Sequence, residues 1–124
     1  MITKKQHLLI LGAGYDQLSP IKKGISKGYQ VTAVDKNSKS IGRKFASNFY
    51  ELSNRDINGI DCLIKDFSKK GNSVTGIFLM GADIPHIAAE LCNRNNLPSI
   101  SLQSAKIAQN KILMKNTFLN SNIP

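Results

Sequence analysis

Few residues in this 124-residue chain could carry chemistry of their own. There are two cysteines, Cys62 and Cys92, and two histidines, His7 and His86. The cysteines are far apart with no second pair beside them, which excludes zinc-ligand spacing and a disulfide framework. Both fall in apolar helical patterns and read as buried thiols in a reducing cytosol. With His7 opening a strand and His86 in the first turn of a helix, no Ser/His/Asp or Cys/His constellation assembles. His86 is left as a general-base candidate with no partner. No paired carboxylates and no metal-ligand cluster are present, so the chain shows no self-contained active site. No hydrophobic run approaches the roughly 20 residues of a membrane span. The segment Met1 to Gln6 is mostly polar, and the run Leu8 to Leu11 is too short for a signal peptide. A cytoplasmic protein is expected. No internal repeat, low-complexity tract or linker interrupts it, and the length suits one domain.

Acidic residues are also scarce, with 8 against 17 lysines and arginines and a net charge of +9. That excess raises nucleic acid and anionic small molecules as partners. The lysine pairs Lys4-Lys5, Lys22-Lys23 and Lys69-Lys70 are short and separate. No basic block carries interleaved aromatics, so a lysine-rich surface is preferred and nucleic acid is disfavoured.

The apolar residues that are present alternate between two periods. His7 to Leu11, closed by Gly12-Ala13-Gly14, reads as a strand buried on both faces. Leu18, Ile21 and Ile25 follow at helical spacing, with Ser19-Pro20 near the start and Gly28 at the end. Gln30 to Val34 is a second strand carrying Asp35 at its carboxyl end, and Ile41 to Ala46 is one helical turn. Asn48 to Leu52 is a third strand. Asp56 can cap a helix whose face is Ile57, Ile60, Ile64 and Phe67. Val74 to Met80, interrupted by Gly76, is a fourth strand. Gly81-Ala82-Asp83 closes it, with Asp83 as cap for a helix striped by Ile84, Ile87, Ala88, Leu91 and Cys92. Ser99 to Leu102 is a brief fifth strand, and Ser104 to Leu119 a closing helix. This alternation predicts an α/β fold: a Rossmann-like open parallel sheet of about five strands, with helices on both faces.

Ligands of such sheets bind outside the carboxyl ends of the strands. Those ends carry Gly12-Ala13-Gly14, Asp35 and Gly81-Ala82-Asp83. Glycines let backbone N–H groups approach an anion at a helix terminus, and Asp35 stands where a dinucleotide-binding domain places its ribose-binding acid. Against that reading, Gln17 replaces the third glycine and Asp16 would repel a pyrophosphate. A tight strand-to-helix turn with no ligand of its own is the competing reading. Asp56 and Asp83 read as helix caps, and Asp61 as an acid on a solvated helix face.

Taken in order, several stretches resemble one family. Leu9-Ile10-Leu11-Gly12-Ala13-Gly14, Pro20-Ile21-Lys22-Lys23, Gly28-Tyr29-Gln30-Val31 and Val34-Asp35 resemble the pre-ATP-grasp domain. That domain opens biotin carboxylase, the large subunit of carbamoyl-phosphate synthase and the carboxylate–amine ligases. Ser104 to Pro124 resembles the hinge segment of ATP-grasp enzymes, with Asn110-Lys111 at the usual Asp-Lys pair and Asn122-Ile123-Pro124 at the exit. The resemblance implies a domain over residues 1–103 and a hinge helix over 104–124. It implies an ATP-dependent ligase, carbamoyl-phosphate synthase-like, that makes an acylphosphate from a carboxylate and passes it to an amine. ATP and Mg2+ would be its cofactors in the full-length enzyme, with Lys111 on ATP phosphate. Gly12, Gly14, Asp35 and Gly81 would face the carboxylate or amine substrate, and a homodimer is one arrangement the family uses. The catalytic lobes of the family have no counterpart in these 124 residues. The expectation is therefore a fragment that neither binds ATP tightly nor turns over alone. The alternative is a free-standing Rossmann-type nucleotide- or dinucleotide-binding module.

Overall fold

A computed structural model of the chain describes residues 6–80 and 84–98. Four parallel strands form one open sheet: β1 (His7–Leu11), β2 (Gln30–Asp35), β3 (Asn48–Glu51) and β4 (Gly76–Phe78), in the order β3-β2-β1-β4. The expected fifth strand, Ser99 to Leu102, and the closing helix, Ser104 to Leu119, lie outside the described residues. Strand β1 is central. It pairs with β2 from His7 opposite Gln30 to Leu11 opposite Val34, and with β4 from Leu8 opposite Gly76 to Ile10 opposite Phe78.

A strand buried on both faces needs a continuous apolar run, and Leu9, Ile10 and Leu11 are each fully buried. Their side chains alternate between two cores. Leu9 and Leu11 pack with Val34 against Ile60, Ile64 and Phe67 of α2 (Ile57–Lys69) and Ile87 and Leu91 of α3 (Pro85–Arg94). Ile10 packs on the opposite face with Val31, Ala33 and Ile21 of α1 (Tyr15–Ser26). Each fully buried Leu or Ile contributes about 1.5–3 kcal/mol relative to exposure. The helix stripes expected from the sequence are thus the faces that meet the sheet, and Asp56 caps α2 by accepting the Gly59 N–H at 3.0 Å.

Several local expectations are corrected. Helix α1 begins at Tyr15, directly off the glycine turn, so Pro20 lies inside the helix and not at its start. There it lacks the N–H that would reach the Asp16 carbonyl. Strand β4 is shorter than Val74 to Met80. Gly76 opens it and does not interrupt it, because the Thr75 side chain takes over the ladder: Thr75 Oγ1 accepts the His7 N–H at 3.0 Å. Cys62 is exposed, on the face of α2 opposite Ile60 and Ile64, whereas Cys92 is buried. Asp61 does more than face solvent. It accepts from Lys65 Nζ at 2.7 Å and from Asn95 Nδ2 at 2.9 Å, tying α2 to the end of α3. The Lys65 hydrogen bond is the main cause of its lowered pKa.

His7 is the buried polar residue that clamps the amino-terminal edge of the sheet. Its Nδ1 is 3.0 Å from the Asn72 carbonyl, which can only accept, so Nδ1 carries the proton. Nε2 is then free to accept the Thr32 hydroxyl at 2.7 Å. Phe67 meets the ring edge-on at 4.7 Å between centroids. Burial pushes the imidazole below its ordinary pKa, and the bond to Asn72 offsets part of that.

Candidate functional site

The carboxyl rim of the sheet brings three of the four substrate-side candidates together. Gly12, Gly14 and Asp35 share one small hydrogen-bonded turn. Gly81 lies outside the described residues, as do Asp83 and Lys111. Gly12 has φ +115°, a region closed to most side chains, and a Cβ there would stand 2.9 Å from Gln17 Cδ. Gly14, where a positive φ is the natural expectation, has φ −84° and needs no special freedom.

Every amide of this turn is already used. Gly12 N–H donates to the Val34 carbonyl at 2.8 Å. Ala13 N–H donates to Asp35 Oδ2 at 3.0 Å. Gly14 N–H donates to Gln17 Oε1 at 2.9 Å. The Ala13 carbonyl accepts the Gly42 N–H at 2.7 Å. Asp35 has its second oxygen on the Asn37 N–H at 2.9 Å. An anion approaching the turn would find no open donor among these three amides, and Asp35 is committed to the backbone on both oxygens. The dinucleotide reading required open amides and an open acid.

Gln17, which stands at the third-glycine position of a dinucleotide fingerprint, is the residue that closes the turn. It is buried, and its amide nitrogen donates to the Met80 carbonyl, linking the start of α1 to the end of β4. The signal was available: a Gln three residues after a helix cap reaches back to the cap N–H, as in a capping box.

Outside this closed turn, side chains form the accessible rim. Tyr15, 80% exposed at the first position of α1, borders a cleft of about 590 Å³ lined also by Ser38, Lys39, Ser40, Arg43 and Lys44. The 3-10 helix Ile41–Phe45 presents Arg43 and Lys44 there. The sequence carries no signal for either, because Lys22, which shares the Phe45 ring with Lys44, joins it only through folding. A separate groove of about 340 Å³ runs between α1 and β4, lined by apolar groups such as Leu8, Ile10, Phe78 and Met80. Ser19, Lys23, Lys27 and Tyr29 also line it, but its wall is mainly apolar. His86 sits in the first turn of α3, and its Nδ1 is buried with no hydrogen-bond partner among the described residues.

Among the described residues, no group of three or more His, Cys, Asp and Glu is arranged to hold a metal ion. The described residues here offer no ligand set for Mg2+, and the amides of residues 12–14 are not open to nucleotide phosphates, so no chemical step is assigned to either on this rim. No described helix is long and apolar enough to cross a membrane.

No protein-family model and no curated protein matches the chain by sequence. Solved structures match it by fold. Phosphoribosylglycinamide synthetase from Anaerococcus prevotii is 25% identical with a TM-score of 0.74, covering 95% of this chain and 29% of that one. N5-carboxyaminoimidazole synthetase from Staphylococcus aureus, solved with ADP, is 17% identical with a TM-score of 0.75, covering 98% and 31%. The biotin carboxylase domain dimer of 2-oxoglutarate carboxylase from Hydrogenobacter thermophilus, solved with MgADP and bicarbonate, is 15% identical with a TM-score of 0.69, covering 99% and 29%. The chain thus spans under a third of the length of each structure. Those matches lie over the N-terminal part of ATP-grasp enzymes. The chain has the fold of their N-terminal, pre-ATP-grasp domain.

Proposed function

We propose that this chain is the substrate-side first domain of an ATP-grasp ligase. The reaction joins a carboxylate to an amine through an acylphosphate made with ATP, as in carbamoyl-phosphate synthase-like enzymes. The observation that carries the reading is the self-satisfied turn at residues 12–14 within a fold matched over 95% of the chain. A turn whose amides are all bonded internally is a rigid wall. Such a wall suits a domain that shapes a substrate pocket and leaves nucleotide binding to other parts of the enzyme.

Within that reading, Gly12 and Gly14 face the substrate as part of this wall, and the space their missing side chains leave is taken by Gln17. Asp35 holds the wall in place from behind. Gly81 would line the same rim, and residues 104–124 would form the hinge, with Lys111 reaching ATP phosphate and Mg2+ bound by the catalytic lobes. A cytoplasmic homodimer is the proposed setting. The test is ADP release by the full-length natural polypeptide, assayed with candidate carboxylates and amines. Turnover that requires both supports the ligase. Tight binding of a nicotinamide or adenine nucleotide by the 124-residue chain itself, with no such turnover, would favour the free-standing module.

A further inference from the structure

Three cations on or beside α2 and α3 are paired with an acid one turn back: Lys65 with Asp61, Lys70 with Asp66 and Arg94 with Glu90, at 2.7 to 3.0 Å. Those on α1 and at residues 39–44 are not. Among the described residues, Lys22, Lys23, Lys39, Arg43 and Lys44 form no ion pair with a carboxylate. Aromatic rings hold three of them. Lys22 Nζ lies 4.4 Å and Lys44 Nζ 5.2 Å from the centroid of the Phe45 ring, on which both rest. The Arg43 guanidinium lies 5.0 Å from the Phe49 ring and donates from Nη1 to the Ser38 carbonyl at 2.8 Å. A ring face positions a cation without neutralising it, and one bond to Ser38 leaves most of the guanidinium fork open.

We propose that the cleft between Tyr15 and residues 38–44 binds the phosphate group of a small phosphorylated substrate. Arg43 offers the planar fork, and Lys39 and Lys44 add point charges. Ser38 and Ser40 line the same space. Neither nearby acid opposes this. Asp35 is turned onto the Ala13 and Asn37 amides, and Asp16 does not line the cleft. The cleft adjoins the closed turn at the carboxyl rim, where sheets of this kind take small ligands. A nucleic-acid track would call for a series of stacking rings, and among the described residues Tyr15 is the one large aromatic that borders this cleft and the neighbouring one along Lys22 and Lys23. That the phosphate belongs to the ligase substrate rests on the function proposed above. The anion site itself rests only on these side chains.

The test is an amide NMR titration of the 124-residue chain with inorganic phosphate, with ionic strength held constant by sodium chloride. Saturable shifts at Tyr15 and residues 38–44 are expected. Arg43→Gln and, separately, Lys44→Gln should each weaken binding by about tenfold, as loss of a charge-assisted contact does. Lys70→Gln, the same charge loss on the paired face, should leave it unchanged. Absence of saturable shifts would overturn the proposal, as would equal weakening by Lys70→Gln. So would a single-stranded oligonucleotide that binds along Lys22 to Ser26 with steep salt dependence, since that describes a polyanion surface. Phosphate binding without carboxylate-dependent ADP release in the full-length polypeptide would remove the ligase reading and keep the site. ADP release without phosphate binding would do the reverse.

Discussion

At the scale of single residues, His7 and Gly12 carry the sharpest consequences. The His7 imidazole is buried and neutral, with its pKa held below the ordinary 6.5 chiefly by burial. The unfolded chain therefore binds the proton first as pH falls. The stability His7 contributes is complete above about 6.5 and is lost as pH drops through the depressed folded value. Thermal unfolding followed from pH 7.5 to 5 should show a falling midpoint, and His7→Gln should flatten that part of the profile. An unchanged slope in the variant would place the titration elsewhere. Gly12→Ala forces a side chain into positive φ against Gln17 Cδ, and should cost on the order of 2–4 kcal/mol in urea unfolding. Gly28→Ala is the comparison. Gly28 has φ +81° but nothing within 4 Å of an added Cβ, so only strain applies, about 1 kcal/mol. Equal losses at both positions would mean that packing against Gln17 contributes nothing.

At the scale of elements, α1 pays a penalty its sequence does not hide. Pro20 sits in the helix interior, where proline is roughly 3 kcal/mol worse than alanine. Pro20→Ala restores a donor to the Asp16 carbonyl and loses less than about 1 kcal/mol of unfolded-chain restriction. A net gain of about 1–2 kcal/mol in stability is expected by chemical denaturation. A loss would show that Pro20 is held by its packing at the groove beside β4, where it lines the wall with Leu8 and Phe78. The helices of the other face were plainer to read. Ile60, Ile64 and Phe67 on α2, and Ile87 and Leu91 on α3, repeat at helical spacing because one stripe of each helix must meet the sheet. The strand ends were harder. Whether Val74 and Thr75 continue β4 depends on a hydroxyl from Thr75 standing in for a backbone group, which no periodicity reveals.

At the scale of the whole molecule, charge is segregated. Lys65 and Arg94 are neutralised by acids on their own helices, and ring-held cations gather where α1 and the 3-10 helix meet. A segregated surface of this kind steers anionic ligands toward one edge of the sheet. The proposed ligase adds a prediction beyond the described residues. In the full-length polypeptide, Lys111→Ala should raise the KM for ATP by tenfold or more, about 1.4 kcal/mol or above, while leaving the melting temperature unchanged. An unchanged KM would detach Asn110-Lys111 from ATP. Size-exclusion chromatography of the same polypeptide at several concentrations would check the proposed dimer.

The order of amino acids alone determined the α/β class, the parallel sheet and the buried stripes, because hydrophobic period and glycine punctuation are local properties of a chain. It also placed Gly12, Gly14 and Asp35 at one rim, because alternating strands and helices leave strand carboxyl ends on one side. Only the tertiary structure decided what that rim is. Whether an amide is open or an acid free depends on partners distant in sequence: Asp35 for Ala13, Gly42 for the Ala13 carbonyl, Met80 for Gln17. The same holds for the basic cleft, since Lys22 and Lys44 meet over one phenylalanine ring only once α1 and the 3-10 helix are packed side by side.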